Sequence, residues 1–202
     1  MHRERGRIAG GWWLAIGGLI LSACAEAPAR LHAGQVRVAP DLVLTLPSPA
    51  SLGRRLEVAQ LVVARHGDRN AAFEGRISAA PDRFDLVCID PLGRKAMSIR
   101  WTPEGIVTER APWVPEDLQP ENMLADIVLL YWPAVVVGQA LALSGGKLTA
   151  DPRVRSIRVR GQEVIHAEYR PLSGDDPWNG RLSYRNLPWG YSLDIQSRII
   201  GP

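Results

Sequence analysis

Arg83-Phe84-Asp85-Leu86-Val87-Cys88-Ile89-Asp90-Pro91-Leu92-Gly93-Arg94-Lys95-Ala96-Met97-Ser98-Ile99-Arg100-Trp101-Thr102-Pro103-Glu104-Gly105-Ile106-Val107-Thr108 is the stretch that decides the fold. In an extended chain successive side chains point to opposite faces, so Phe84, Leu86 and Cys88 share one face. Met97, Ile99 and Trp101 share one face of the next run, alternating with Ala96, Ser98 and Arg100. Pro91-Leu92-Gly93 and Pro103-Glu104-Gly105 are turn signals, too short to hold a crossover helix. Short alternating strands joined by tight turns predict an antiparallel meander and not a parallel α/β sheet.

The same grammar extends in both directions. Toward the N-terminus, Leu56 to Ala64 is rich in β-formers and ends at His66-Gly67-Asp68, and Ala72 to Ile77 alternates around Gly75, a candidate bend. Toward the C-terminus, Arg153 to Arg160 and Glu163 to Arg170 are joined through Gly161-Gln162. A polar loop, Ser173-Gly174-Asp175-Asp176-Pro177, leads to Arg181 to Tyr184, and Tyr191 to Gln196 alternates strictly. The expectation is a mainly β, α+β domain with about eight antiparallel strands.

One segment changes period. Pro120-Glu121 opens it with proline at a first helical position and an acid at the positive end of the helix dipole. Leu124, Ile127, Val128, Tyr131, Val135 and Val136 then recur at helical spacing. Pro133 removes a donor from the helix interior, which predicts a kink or two short helices between Glu121 and Leu143. No charged side chain occurs from Ile127 to Ser144. So apolar a helix is either buried against the sheet, a lid over a hydrophobic cavity, or a membrane span, and the run falls short of the roughly 20 residues a span needs.

The chain begins with Arg3, Arg5 and Arg7, an apolar small-residue run from Ile8 to Ile20, and Leu21-Ser22-Ala23-Cys24. Basic start, apolar middle and small-residue end are the order of a secretory signal peptide over residues 1–23. Leu-Ser-Ala-Cys resembles the bacterial lipobox, which implies lipidation of Cys24. With Cys24 acylated, Cys88 is the remaining cysteine and no intrachain disulfide forms. Cleavage leaves 179 residues, enough for one domain with a sizeable core. Residues 24–53, with Pro28, Pro40, Pro47 and Pro49, read as a lipidated N-terminus and extended tether, and 54–202 as the β domain. The leader carries three Arg and one Glu, so the rest holds 21 basic and 20 acidic residues. That balance removes the electrostatic case for nucleic acid.

Arg65-His66-Gly67 resembles the triplet in which a histidine phosphatase accepts a phosphoryl group. Such an enzyme needs a second histidine, for which His166 is the candidate, and an α/β layered fold that this strand pattern does not supply. The four histidines, at positions 2, 32, 66 and 166, and two cysteines have no metal-ligand spacing, and no cofactor is expected. Cys88 reads as an inert core thiol. Arg153, Arg155, Arg158 and Arg160 read either as a solvated edge or as contacts to anionic lipid head groups. Trp113 and Trp178 lie beside prolines in loops, where an aromatic caps a core or meets a membrane interface, and Trp132 lies in the apolar helix.

Several pieces in order, Leu52-Gly53-Arg54, Arg65-His66-Gly67, Asp90 to Gly93, Leu124-Ala125-Asp126 with Tyr131-Trp132-Pro133, and Asn186-Leu187 through Tyr191 to Ile195, resemble a family of bacterial outer-membrane lipoproteins of unknown function related to the LolA and LolB carriers. The resemblance implies a curved antiparallel sheet, an incomplete barrel, covered by a kinked apolar helix over a hydrophobic cavity. It implies a lipid-anchored binding or transfer protein, without catalysis, for acylated or lipid-like cargo. Cargo of that kind includes lipoprotein acyl chains or, given the family's frequent company with aryl-polyene lipid synthesis genes, an aryl-polyene lipid. Leu124, Ile127, Val128, Tyr131 and Trp132 are the expected cavity lining. Ala25 after the cysteine points to the periplasmic face of the outer membrane, with a periplasmic carrier protein as a possible partner. A scaffold lipoprotein that binds protein partners through an exposed apolar patch is the competing expectation.

Overall fold

In a computed structural model, residues 34–115 and 118–201 are described, so the leader, Cys24 and the first part of the tether lie outside the described residues. Ten strands form one antiparallel sheet: β3 (Leu56–His66), β4 (Arg69–Ala80), β5 (Arg83–Ile89), β6 (Lys95–Thr102), β7 (Gly105–Arg110), β8 (Gly146–Ala150), β9 (Val154–Val159), β10 (Gln162–Pro171), β11 (Gly180–Asn186) and β12 (Tyr191–Gly201). Their spatial order is β7-β6-β5-β4-β3-β12-β11-β10-β9-β8. Two meanders therefore meet where the last strand, β12, pairs with β3 from Tyr191↔His66 to Ile199↔Val58. β7 and β8 are the free edges, so the sheet is open. A separate hairpin is formed by β1 (Gln35–Ala39) and β2 (Leu42–Thr45).

The alternation seen in the sequence sets which face is buried. Phe84, Leu86 and Cys88 on β5, Met97, Ile99 and Trp101 on β6, and Ile165, Ala167 and Tyr169 on β10 all point inward and are buried. Ten strands at about 4.8 Å spacing would spread roughly 45 Å if flat. Two short helices, α1 (Pro120–Tyr131) and α2 (Ala134–Ala142), lie on the buried side of the sheet among the described residues. Yet Trp132, which follows α1, reaches Phe84 and Trp101 on one half, while Arg155 of β9 on the other half donates to the Leu129 carbonyl at 2.9 Å. Both halves touch the same helix end, which requires the sheet to wrap. The expected mainly β domain with a kinked apolar helix is what forms.

The sequence boundary at Arg54 needs correction. Residues 35–52 are part of the folded body: Leu42 and Leu44 are fully buried, and Ser144 Oγ donates to the Val43 carbonyl at 2.7 Å. Asn186 of β11 likewise donates to the Val38 carbonyl at 2.8 Å. Of the prolines that suggested a tether, Pro40 stands in the β1–β2 turn and Pro49 opens a 3₁₀ turn over Pro49–Leu52, places where the folded chain tolerates proline, and Pro28 lies outside the described residues. The strand count also rises, because β8 is a five-residue strand whose Gly-Lys-Leu-Thr-Ala carries no alternation strong enough to read. With β8 outside it, β9 is not an edge, so its arginines are not edge guards.

Candidate functional site

The helical cover is built around Pro133. A helix continuing through it would need an N–H to satisfy the Leu129 carbonyl, and proline has none. Side chains from the sheet replace the missing donors: Arg155 Nη1 reaches the Leu129 carbonyl, and Tyr169 Oη donates to the Leu130 carbonyl at 2.7 Å. The guanidinium is also well placed against the negative end of the helix dipole. The chain restarts as α2, with the Val137 amide on the Pro133 carbonyl at 3.1 Å.

Two buried polar latches hold α1 to the sheet. In the first, Tyr184 and Tyr191 donate their hydroxyls to Asp126, at 2.7 Å to Oδ1 and 2.7 Å to Oδ2 respectively. Asn186 Nδ2 lies 3.4 Å from the Tyr191 hydroxyl. Burial penalises the charged carboxylate and raises the Asp126 pKa to about 6, against the lowering effect of the two hydroxyls. Burial, with Asp126 adding to it, also pushes both tyrosines up. In the second latch, Gln60 Nε2 donates to the Tyr131 hydroxyl and to Ser197 Oγ, each at 3.0 Å. Burial raises the Tyr131 pKa to about 12.

Aromatic packing fills the space between the latches. Tyr131 stacks on Trp178 at 4.0 Å between centroids. Trp132 lies 5.5 Å from Phe84 and 5.6 Å from Trp101, and its Nε1 donates to Ser51 Oγ at 3.0 Å. Trp178, expected as a loop cap or interface residue, is a core residue. The structure thus brings together Leu124, Val128, Tyr131 and Trp132 as fully or almost fully buried side chains, with Ile127 at their margin. They pack against buried side chains of the sheet, among them Phe84, Trp101 and Tyr184. The described cavities lie elsewhere: one of about 290 Å³ on the outer face of the sheet and one of about 230 Å³ beside the β1–β2 and β9–β10 turns.

α2 differs from α1 in what it shows to solvent. Val137 and Leu141 are buried, but Val135 is 68% exposed and Leu143, just past the helix, 89% exposed. Gln139 is the only exposed polar side chain on α2. A helix apolar all round is normally buried, and this one is not. No described helix is long and apolar enough to cross a membrane.

The other sequence candidates are dispersed. His66 ends β3 in an exposed hairpin, and His166 lies on the outer face of β10 between Glu163 and Glu168. β3 and β10 are three strand spacings apart, roughly 14 Å, so the two histidines do not form a phosphatase pair. Cys88 is buried and its thiol pKa is raised by burial to about 12. The arginine run splits: Arg155 faces inward to α1, Arg160 lies 3.5 Å from Asp41, and Arg158 is exposed. Asp126 was missed as a site residue. Its signal was an acid on the sheet-facing side of α1, beyond the polar first turn of Glu121 and Asn122, a placement that requires buried partners.

A family model described as a protein of unknown function, DUF3261, matches residues 57–198, from β3 to β12. No curated protein matches the chain. Among solved structures, a LolA superfamily protein from Nitrosomonas europaea is similar at 8% identity, covering 71% of this chain and 84% of that one, with a TM-score of 0.41. A DUF1329 family protein from Desulfovibrio piger is similar at 10% identity, covering 74% and 87%, with a TM-score of 0.33.

Proposed function

We propose that this chain, which belongs to the unknown-function family matched over residues 57–198, is a membrane-tethered lipid-handling protein anchored through Cys24 at the periplasmic face of the outer membrane. The observation that carries the reading is α2: an uncharged helix at the surface, with Val135 and Leu143 in solvent. Exposed apolar surface of that kind gains roughly 25 cal/mol per Å² when covered by acyl chain. Tethering keeps such a face beside the phase that covers it.

Cargo would enter beneath the cover, which is joined to the sheet by the loop before Pro120 at one end and by Ser144-Gly145-Gly146 at the other. Acyl chains of a lipoprotein or a polyene lipid are the classes that suit this interior. Native mass spectrometry after mild extraction, with uptake of a fluorescent acyl probe, tests the reading. Bound lipid, and uptake reduced about ten-fold in Val135→Asp/Leu143→Asp, support it; no lipid and no uptake overturn it.

The ring contacts of Tyr131 with Trp178 and of Trp132 with Phe84 and Trp101 favour a second reading, in which the same α2 face docks a protein partner and no cargo enters. There, vesicles and acyl probes leave α2 untouched while the double variant abolishes capture by the partner.

A further inference from the structure

The outer face of the sheet carries a feature that the lipid-handling reading of α2 does not use. Register across four neighbouring strands sets side chains in a row: Arg170 on β10 faces Arg181 on β11, Arg181 faces Gln196 on β12, and Gln196 faces Leu61 on β3. These four line the groove of about 290 Å³, with Val63 beside Leu61. Like charges directly opposite across two strands, about 5 Å apart, destabilise a sheet. Neither Arg170 nor Arg181 has a hydrogen-bond or ion-pair partner among the described residues, and both are exposed.

The groove's two acids are already engaged. Asp194 is paired with Arg65, and Glu168 Oε1 lies 3.3 Å from His166 Nε2 and 4.0 Å from Arg185. The groove therefore presents two uncompensated guanidinium forks at one end and an apolar shelf at the other, where Leu61 is 54% exposed. Guanidinium forks match carboxylate and phosphate oxygens bidentately. A carboxylate has two oxygens and one charge, which satisfies one fork. A phosphate monoester offers three terminal oxygens and a charge of about −1.5 to −2, which engages both forks, and with an alkyl portion attached it suits the Leu61 and Val63 shelf as well.

We propose that the outer-face groove between Arg170, Arg181, Gln196 and Leu61 binds a phosphate-bearing anion, with any alkyl portion lying on Leu61 and Val63. The two guanidinium groups hold the phosphate oxygens, Gln196 supplies a neutral donor, and binding removes the repulsion between the opposed arginines. A phospholipid head group that ends in a monoester phosphate and a free phosphate share this chemistry.

The test titrates the full chain with inorganic phosphate, with dihexanoyl phosphatidic acid and with uncharged dihexanoylglycerol, following the arginine side-chain N–H signals by NMR. The expected result is saturable shifts at Arg170 and Arg181 with a phosphate probe, weakened at least ten-fold in Arg170→Gln/Arg181→Gln. Melting of that variant is expected to stay at or above the parent's temperature, because a like-charge contact is gone. Leu61→Ser should weaken the lipid probe and leave inorganic phosphate unchanged. Saturation by phosphate as tight as by the lipid identifies a free anion, and saturation by the lipid alone identifies a head group; either supports the proposal. No saturable shift with either phosphate probe, equal shifts with dihexanoylglycerol, or undiminished binding by the double variant overturns it.

Discussion

α1 and α2 come from one uncharged stretch separated by a proline, yet they are held in opposite ways. α1 is tied down: Asp126 and Tyr131 reach buried partners on β3, β11 and β12, and two of its last carbonyls are capped by Arg155 and Tyr169. α2 rests on the β1–β2 hairpin and β8 through Val137 and Leu141 and leaves Val135 and Leu143 in water. Apolar packing is non-directional and slides readily, whereas a satisfied buried polar network has one register. The difference makes α1 the fixed part of the cover and leaves α2 as the apolar surface on which the proposed lipid-handling role rests.

The largest way to break the comparison is at the junction between the helices. Trp132→Ala removes the contacts with Phe84 and Trp101 and orphans Ser51's incoming bond. It should cost about 3–5 kcal/mol in denaturant unfolding. A loss under about 1 kcal/mol would mean that Trp132 is not part of a filled core.

The Asp126 latch gives a pH signature. Below about pH 4 the carboxyl is protonated in both folded and unfolded chains. Between about 4 and 6 the unfolded chain has ionised and the folded one has not, so this group's contribution to stability falls as pH rises, by about 3 kcal/mol in total, and is flat above. Asp126→Asn should flatten that slope in urea unfolding measured across pH 4–7. An unchanged slope would place the titration elsewhere.

Smaller effects sharpen the contrast. Tyr131→Phe keeps the ring on Trp178 but leaves Gln60 with Ser197 alone, and should cost about 1 kcal/mol. Val135→Ser on the outer side of α2 should change stability by less than about 0.5 kcal/mol. If α2 meets acyl chains, the same substitution nevertheless lowers acyl-probe binding.

Much of the sheet could be read from period-two alternation, because β5, β6 and β12 each bury one set of side chains. The kink was legible too, since Pro133 has one consequence in a helix wherever it falls. What stayed hidden depends on distant chain. The β1–β2 hairpin lies among prolines that also mark tethers, and its burial comes from α1, α2 and Asn186, none adjacent in sequence. The helix face around Leu124 and Val128 was legible as buried, but its aromatic neighbours Trp101, Trp178 and Phe84 come from separate strands and a loop. Asp126 shows the same limit: a lone acid declares that it needs partners without saying that they are Tyr184 and Tyr191. The Arg170–Arg181 opposition required the β10–β11 register, which no single segment contains.

The most direct test of the account puts an environment-sensitive fluorophore on each helix of the full acylated chain through Val135→Cys on α2 or Glu121→Cys on α1, Cys88 being buried and its thiol protonated. On phospholipid vesicles the label at position 135 should shift to the blue and be quenched by brominated acyl chains, while the label at 121 stays in water. Two labels that both remain water-exposed on vesicles would contradict the assignment of α2 to lipid.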